Sequence, residues 1–65
     1  MGMTPTAFLR ERRLELAREM LGDPGLATTV TSVALACGFG HLGEFSTLYR
    51  HRFGERPSDT LRRAR

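Results

Sequence analysis

From residue 5 onward the apolar positions recur in threes and fours. At 100° per residue, Leu9, Leu14, Leu16, Ala17, Met20 and Leu21 fall within one arc of roughly 160°, with Glu11, Arg12, Glu15, Arg18 and Glu19 opposite. Leu, Ala, Arg and Glu dominate this stretch and all favour helix, so the pattern predicts a helix over 5–21. Thr4 offers a capping hydroxyl, and Pro5 suits the first helical position, where a missing N–H does no harm. Gly22-Asp23-Pro24-Gly25 reads as the stop and turn, after which Leu26 is expected to fold back into the core. Thr31 is the expected cap of a short second helix, 32–37, with Val33, Ala34 and Cys37 on one side. Gly38 would end it in a left-handed conformation. A third helix runs from His41 to Phe53, where Phe45, Leu48, Tyr49 and Phe53 stand at i, i+3, i+4 and i+8. Gly54 stops it, Arg56-Pro57-Ser58 breaks the chain, and 58–63 forms a short last helix with Leu61 turned inward. No segment alternates as a strand would, so the fold is expected to be all-α. Met1, Gly2 and Met3 precede the pattern and are set aside as a start or a cloning remnant.

Helix, glycine-containing turn and helix in succession from Thr31 to Arg50 make a helix-turn-helix, here within a homeodomain-like three-helix core. Ala34 is small where the two helices cross. Val33, Cys37, Phe39, Phe45 and Tyr49 would form the wedge between them. The first apolar residue of the third helix falls at Phe45, one place later than in the simplest form of the motif. With Phe45, Leu48, Tyr49 and Phe53 inward, the outer face carries Gly43, Ser46, Thr47 and Arg50, flanked by His51. It is slim, polar and free of carboxylates, as a helix entering the major groove requires. His41 and Leu42 join the candidates because the N-terminal residues of such a helix reach base edges; His41 could equally cap the helix. Arg50, Arg52 and Arg56 suit phosphates. The Ser32 and Val33 amides, at a helix N-terminus, could hold another.

Composition narrows the class of function. The chain has 65 residues, ten basic and seven acidic, for a net charge of +3. Every basic residue is Arg, which suits phosphate and guanine recognition, although a GC-rich genome would enrich Arg as well. Residues 1–44 hold four Arg against five acids, and residues 45–65 hold six against two, so the basic excess lies at the C-terminal end. A chain this short makes one domain with a small core, burying ~60% of its unfolded surface. Cys37 is the single cysteine, which excludes an internal disulfide and marks it as a small core residue. With only His41 and His51 beside it, no zinc spacing exists, and no metal or cofactor is expected. No apolar run spans a membrane and no leader pattern opens the chain, so a reduced, cytoplasmic setting is expected. No acid–base pair, nucleophile–His arrangement or phosphate-cradling loop is present, so catalysis is not expected. Arg13 falls inside the apolar arc of the first helix and should need a partner, for which Glu44 is the candidate.

The runs TPTAFLRERRLELAREML and TVTSVALACGFGHLGEFSTLYRHRFGERPSDTLR resemble the C-terminal half of the AraC/XylS-type DNA-binding domain, over essentially the whole chain. The spacing of ALACGF, EFS, YR, FGERP and TLR carries the resemblance. In that family two helix-turn-helix units, joined by a long helix, read adjacent major-groove segments. The resemblance implies that 1–65 is one DNA-binding unit, with 4–21 the connecting helix, 31–53 the second helix-turn-helix and 58–63 the closing helix. It implies double-stranded DNA as partner, with a first helix-turn-helix or a sensing and dimerising domain elsewhere, and homo-oligomers as a further option. It implies no metal and no catalytic centre. Thr47 stands where the family often has a long basic side chain, and Leu42 and Gly43 stand where it often has polar readers. Leu42 or Thr47 could then touch thymine methyls, and Gly43 could let the helix sit deep. A rival reading is a helical interaction module, because the arc of the first helix is wide for so small a unit to cover.

Overall fold

In the computed structural model, which describes residues 4–65, four helices follow one another: α1 (Pro5–Gly22), α2 (Val30–Ala36), α3 (Leu42–Phe53) and α4 (Pro57–Ala64). No strand occurs among the described residues, as the periodicity requires. The reading of Met1, Gly2 and Met3 lies outside them. Thr4 caps α1 by accepting from the Ala7 amide at 3.1 Å, and Pro5 occupies the first turn. Gly22 is still helical, and Asp23 takes the cap position.

The start of α2 differs from the expectation. Thr29, not Thr31, is the cap: its Oγ1 accepts from the Ser32 amide at 3.0 Å, while Ser32 Oγ accepts from the Thr29 amide at 3.1 Å. This reciprocal box needs a side-chain acceptor, a carboxylate, carboxamide or hydroxyl, three residues on. Thr29 has Ser32 there; Thr31 has Ala34, which cannot answer. At the other end, α4 begins one residue early, with Pro57 in its first turn and buried, and Asp59 reaching back to the Arg56 amide at 3.1 Å.

One cluster forms the core: Leu14, Ala17 and Leu21 of α1, Val33 and Ala34 of α2 with Cys37, Phe45 and Tyr49 of α3, and Leu61 of α4. Phe39, Phe45, Tyr49 and Phe53 make a chain of tilted ring contacts through it, with centroids 4.9, 5.7 and 4.7 Å apart. Each such pair adds about 0.5–1.5 kcal/mol to the burial itself. Leu26 does not join. The Gly25–Thr28 turn, closed by Gly25 N–H donating to Thr28 Oγ1 at 2.8 Å, holds it out in solvent. Leu9 and Leu16 also lie outside, 47% and 46% exposed. They sit roughly 140–160° around α1 from Leu14, and the three short helices cover only the Leu14/Ala17/Leu21 side.

Gly38 and Gly54 are the described residues with positive φ, +90° and +76°, and they close α2 and α3. Gly38 is constrained by its φ, and a Cβ there would also lie 3.3 Å from Cζ of Arg13, whose exposed side chain would shift. Gly40 has neither constraint. Gly38→Ala is therefore expected to lower unfolding free energy by about 1–3 kcal/mol. Gly40→Ala should change it by less than about 0.5 kcal/mol. Urea denaturation of the two variants checks this ordering.

Candidate nucleic-acid interface

Phe45 and Tyr49 are fully buried, which fixes the rotation of α3. Opposite them Gly43, Thr47 and Arg50 are exposed, with His51 exposed at the edge and Ser46 half-buried, while His41 and Leu42 are exposed at the helix start. Nothing lies within 4 Å of where a Cβ of Gly43 would be. Thr47 Oγ1 donates to Gly43 O at 3.1 Å, so the hydroxyl proton is used within the helix. Its methyl and an acceptor lone pair are what remain for a ligand. His41 takes the cap position without a side-chain hydrogen bond, so the first amides of α3 have no capping acceptor.

Several expected contact groups are engaged inside the protein. Arg52 Nε pairs with Glu11 of α1, and its guanidinium stands 5.0 Å from the Phe53 ring centroid, beside Arg18 at 4.9 Å. Arg56 pairs with Asp59 at 3.5 Å. The Ser32 amide donates to Thr29 Oγ1, the Val33 amide to Thr29 O at 3.1 Å, and the Val33 side chain is buried. The Ser32 and Val33 amides, expected to be free for a phosphate, are therefore engaged within the helix start. Two residues' shift in the cap makes their donors internal and leaves the Val30 and Thr31 amides at that helix start.

Arg13 needs no acid. It is exposed, and no ion pair to Glu44 forms; its guanidinium lies against Gly38 instead. The expectation failed because the buried arc of α1 is narrower than its apolar arc and excludes residue 13.

Beneath α3 a polar relay fixes α4. Tyr49 Oη and Thr60 Oγ1 are 2.8 Å apart in the core, Thr60 donates to Glu55, and Glu55 receives both Arg63 nitrogens at 2.8 Å. Since Thr60 gives its one proton to the carboxylate, the Tyr49 hydroxyl must be the donor to Thr60. Burial pushes the Tyr49 phenol up. The Arg63 hydrogen bonds, then the Thr60 hydrogen bond, pull the Glu55 carboxyl down from 4.5 to about 2.

Arg10, which the sequence pattern did not single out, is exposed and has no ion pair among the described residues. A signal existed: neither Arg10 nor Arg13 nor Arg50 has an acid three or four residues away on its helix, whereas Arg12 has Glu15, to which it is bound at 2.9 Å.

An aromatic stripe locked inward and a slim, exposed flank on the second helix of the motif define a helix-turn-helix DNA-binding protein. The family profile described as a helix-turn-helix domain matches residues 1–63. The XylDLEGF operon transcriptional activator of Pseudomonas putida is 48% identical over 65 residues, covering 98% of this chain and 20% of the activator. Transcriptional activator RhrA of Rhizobium meliloti is 38% identical over 63 residues, covering 97% and 20%. The crystal structure of a probable AraC family transcriptional regulator from Rhodopseudomonas palustris aligns with a TM-score of 0.92 at 52% identity, covering 98% of this chain and 59% of that one. The chain belongs to the AraC-type helix-turn-helix family, whose domain serves sequence-specific DNA binding in transcriptional regulation. It spans about a fifth of the length of these curated relatives. No helix among the described residues is long and apolar enough to cross a membrane.

The relay makes a pH prediction. The Glu55 carboxyl is more acidic folded than unfolded, so its contribution is present above about 4.5 and is lost as pH falls toward about 2. Glu55→Gln should lower the melting temperature at neutral pH, and the gap to the parent chain should close across that acid window. Thermal melts of both proteins from neutral to strongly acid pH measure it.

Proposed function

We propose that α3 lies in the major groove of duplex DNA with Gly43, Thr47 and Arg50 toward the bases and the flanking phosphates. The observation that carries this reading is the rotation of α3: Phe45 and Tyr49 are fully buried while Gly43, Thr47 and Arg50 stand exposed opposite. His41 and Leu42 enter at the helix start, Ser46 borders the face, and His51 and Arg52 lie toward its far end. Arg56, held by Asp59, reaches a phosphate only by leaving that acid. Gly43 lets the backbone approach the base edges. Thr47 presents a methyl suited to thymine and a lone pair suited to the amino groups of adenine or cytosine.

The exposed Phe8, Leu9 and Leu16 of α1 favour a second partner beside DNA. In a longer parent protein this stripe is the natural seat for another helical unit, the first helix-turn-helix being the foremost candidate. A sensing or dimerising domain or a second copy would use the same apolar chemistry.

Two variants separate affinity from specificity. Arg50→Ala should weaken binding to a random-sequence duplex and to a duplex selected from a pool by roughly tenfold alike, and lower the salt slope by about 0.9. Thr47→Ala should leave the random duplex unaffected and change which base is selected at one position. Fluorescence anisotropy titrations with a selection experiment test both, and unchanged affinity and preference in the two variants would remove α3 from the groove.

A further inference from the structure

Pairing sorts the arginines of this chain into two groups. Arg12, Arg52, Arg56, Arg62 and Arg63 each hold a carboxylate. Arg65 donates to Thr28 O, and Arg18 stands over the Phe53 ring. Arg10, Arg13 and Arg50 have neither an ion pair nor a hydrogen bond among the described residues, and all three are exposed. Arg50 belongs to the α3 face. Arg10 and Arg13 stand one turn apart on α1, along the edge of that same face.

A cleft of about 260 Å³ opens there between α1, the Gly38–His41 turn and the side of α3. Arg10, Arg13, Gly38, His41, Glu44 and Leu48 are among its lining residues. The Arg13 guanidinium is laid against Gly38, whose missing side chain makes the room. The guanidinium has no acceptor among the described residues, so its N–H edges are unspent, and such an edge matches two oxygens of a phosphate. Arg10 reaches a second shallow groove beside Leu48 and His51, so the unpaired charge continues along the flank of α3.

We propose that α1 contributes its own contact to the nucleic acid: Arg10 and Arg13 clasp the sugar–phosphate strand bordering the groove that α3 enters. This rests on the placement of α3 in the major groove and adds a sequence-independent grip beside it. Phosphate, not a base, is the ligand, because these side chains rise from the flank of a helix outside the groove and offer charge without a shape to fit into it. Glu44 is the one carboxylate lining the cleft and is outnumbered two to one there.

The test uses the 65-residue chain, a random-sequence duplex and a selected duplex, titrated between about 50 and 200 mM salt. Arg10→Ala/Arg13→Ala should weaken binding to both duplexes by the same factor, tenfold or more, and lower the salt slope by about 0.9 for each phosphate released. The sequence preference should stay as in the parent. Arg12→Ala, which removes an arginine already paired, should leave affinity and slope in place. Circular dichroism checks folding; each single variant should lower the slope on its own and carries the test should the pair lose helicity. An unchanged slope in the folded variants overturns the proposal and assigns the two arginines to an acidic protein surface instead. If Arg50→Ala lowers the slope while these do not, the placement of α3 survives and only the clasp is lost.

Discussion

The arrangement depends on the burial of one side of α3. Phe45 and Tyr49 disappear into a core that α1, α2 and α4 surround, and the ring chain from Phe39 to Phe53 leaves α3 a single rotation about its axis. Removing such side chains from water is worth about 1.5–3 kcal/mol each, a large part of what a domain of this size has. The Tyr49–Thr60–Glu55–Arg63 relay adds direction to that burial, since hydrogen bonds accept only one arrangement where apolar contact would tolerate several.

The sequence made the helices legible because each end has a local chemical cause. Thr4-Pro5, Gly38 and Gly54 act through their own backbone and appear in the structure where the pattern placed them. Phe45 and Tyr49 were equally plain, since a stripe at helical spacing has one way to be buried. Thr29 was less so: its capping depends on Ser32, a pair relation that a search for one good capping residue passes over. Leu9, Leu16, Leu26 and Arg13 were beyond reach for another reason. Periodicity tells which residues share a face, while the width of the face that becomes covered depends on how many neighbours the chain can supply.

Charge shows the same division. Along the chain the basic excess lies after residue 44, yet in three dimensions Arg52, Arg56, Arg62 and Arg63 hold acids, two of them supplied by α1 and by the loop before α4. Exposed pairs of this kind stabilise little, but they lower the field that an approaching polyanion meets. Of the arginines left without a partner, Arg50 lies on α3 and Arg10 and Arg13 line a cleft on one side of it, and these two come from the first 44 residues, whose formal charge is slightly negative.

Gly43 has a consequence for how this surface came to be. Glycine favours helix less than alanine does, and here, in the first turn of α3, no neighbour among the described residues demands it. On the proposed placement of α3, the bare backbone at Gly43 serves the approach to DNA and not the packing of the protein. The proposed reading surface is therefore separate from the core beneath it, and a lineage could exchange one target sequence for another there by substitutions that leave the buried stripe of α3 in place.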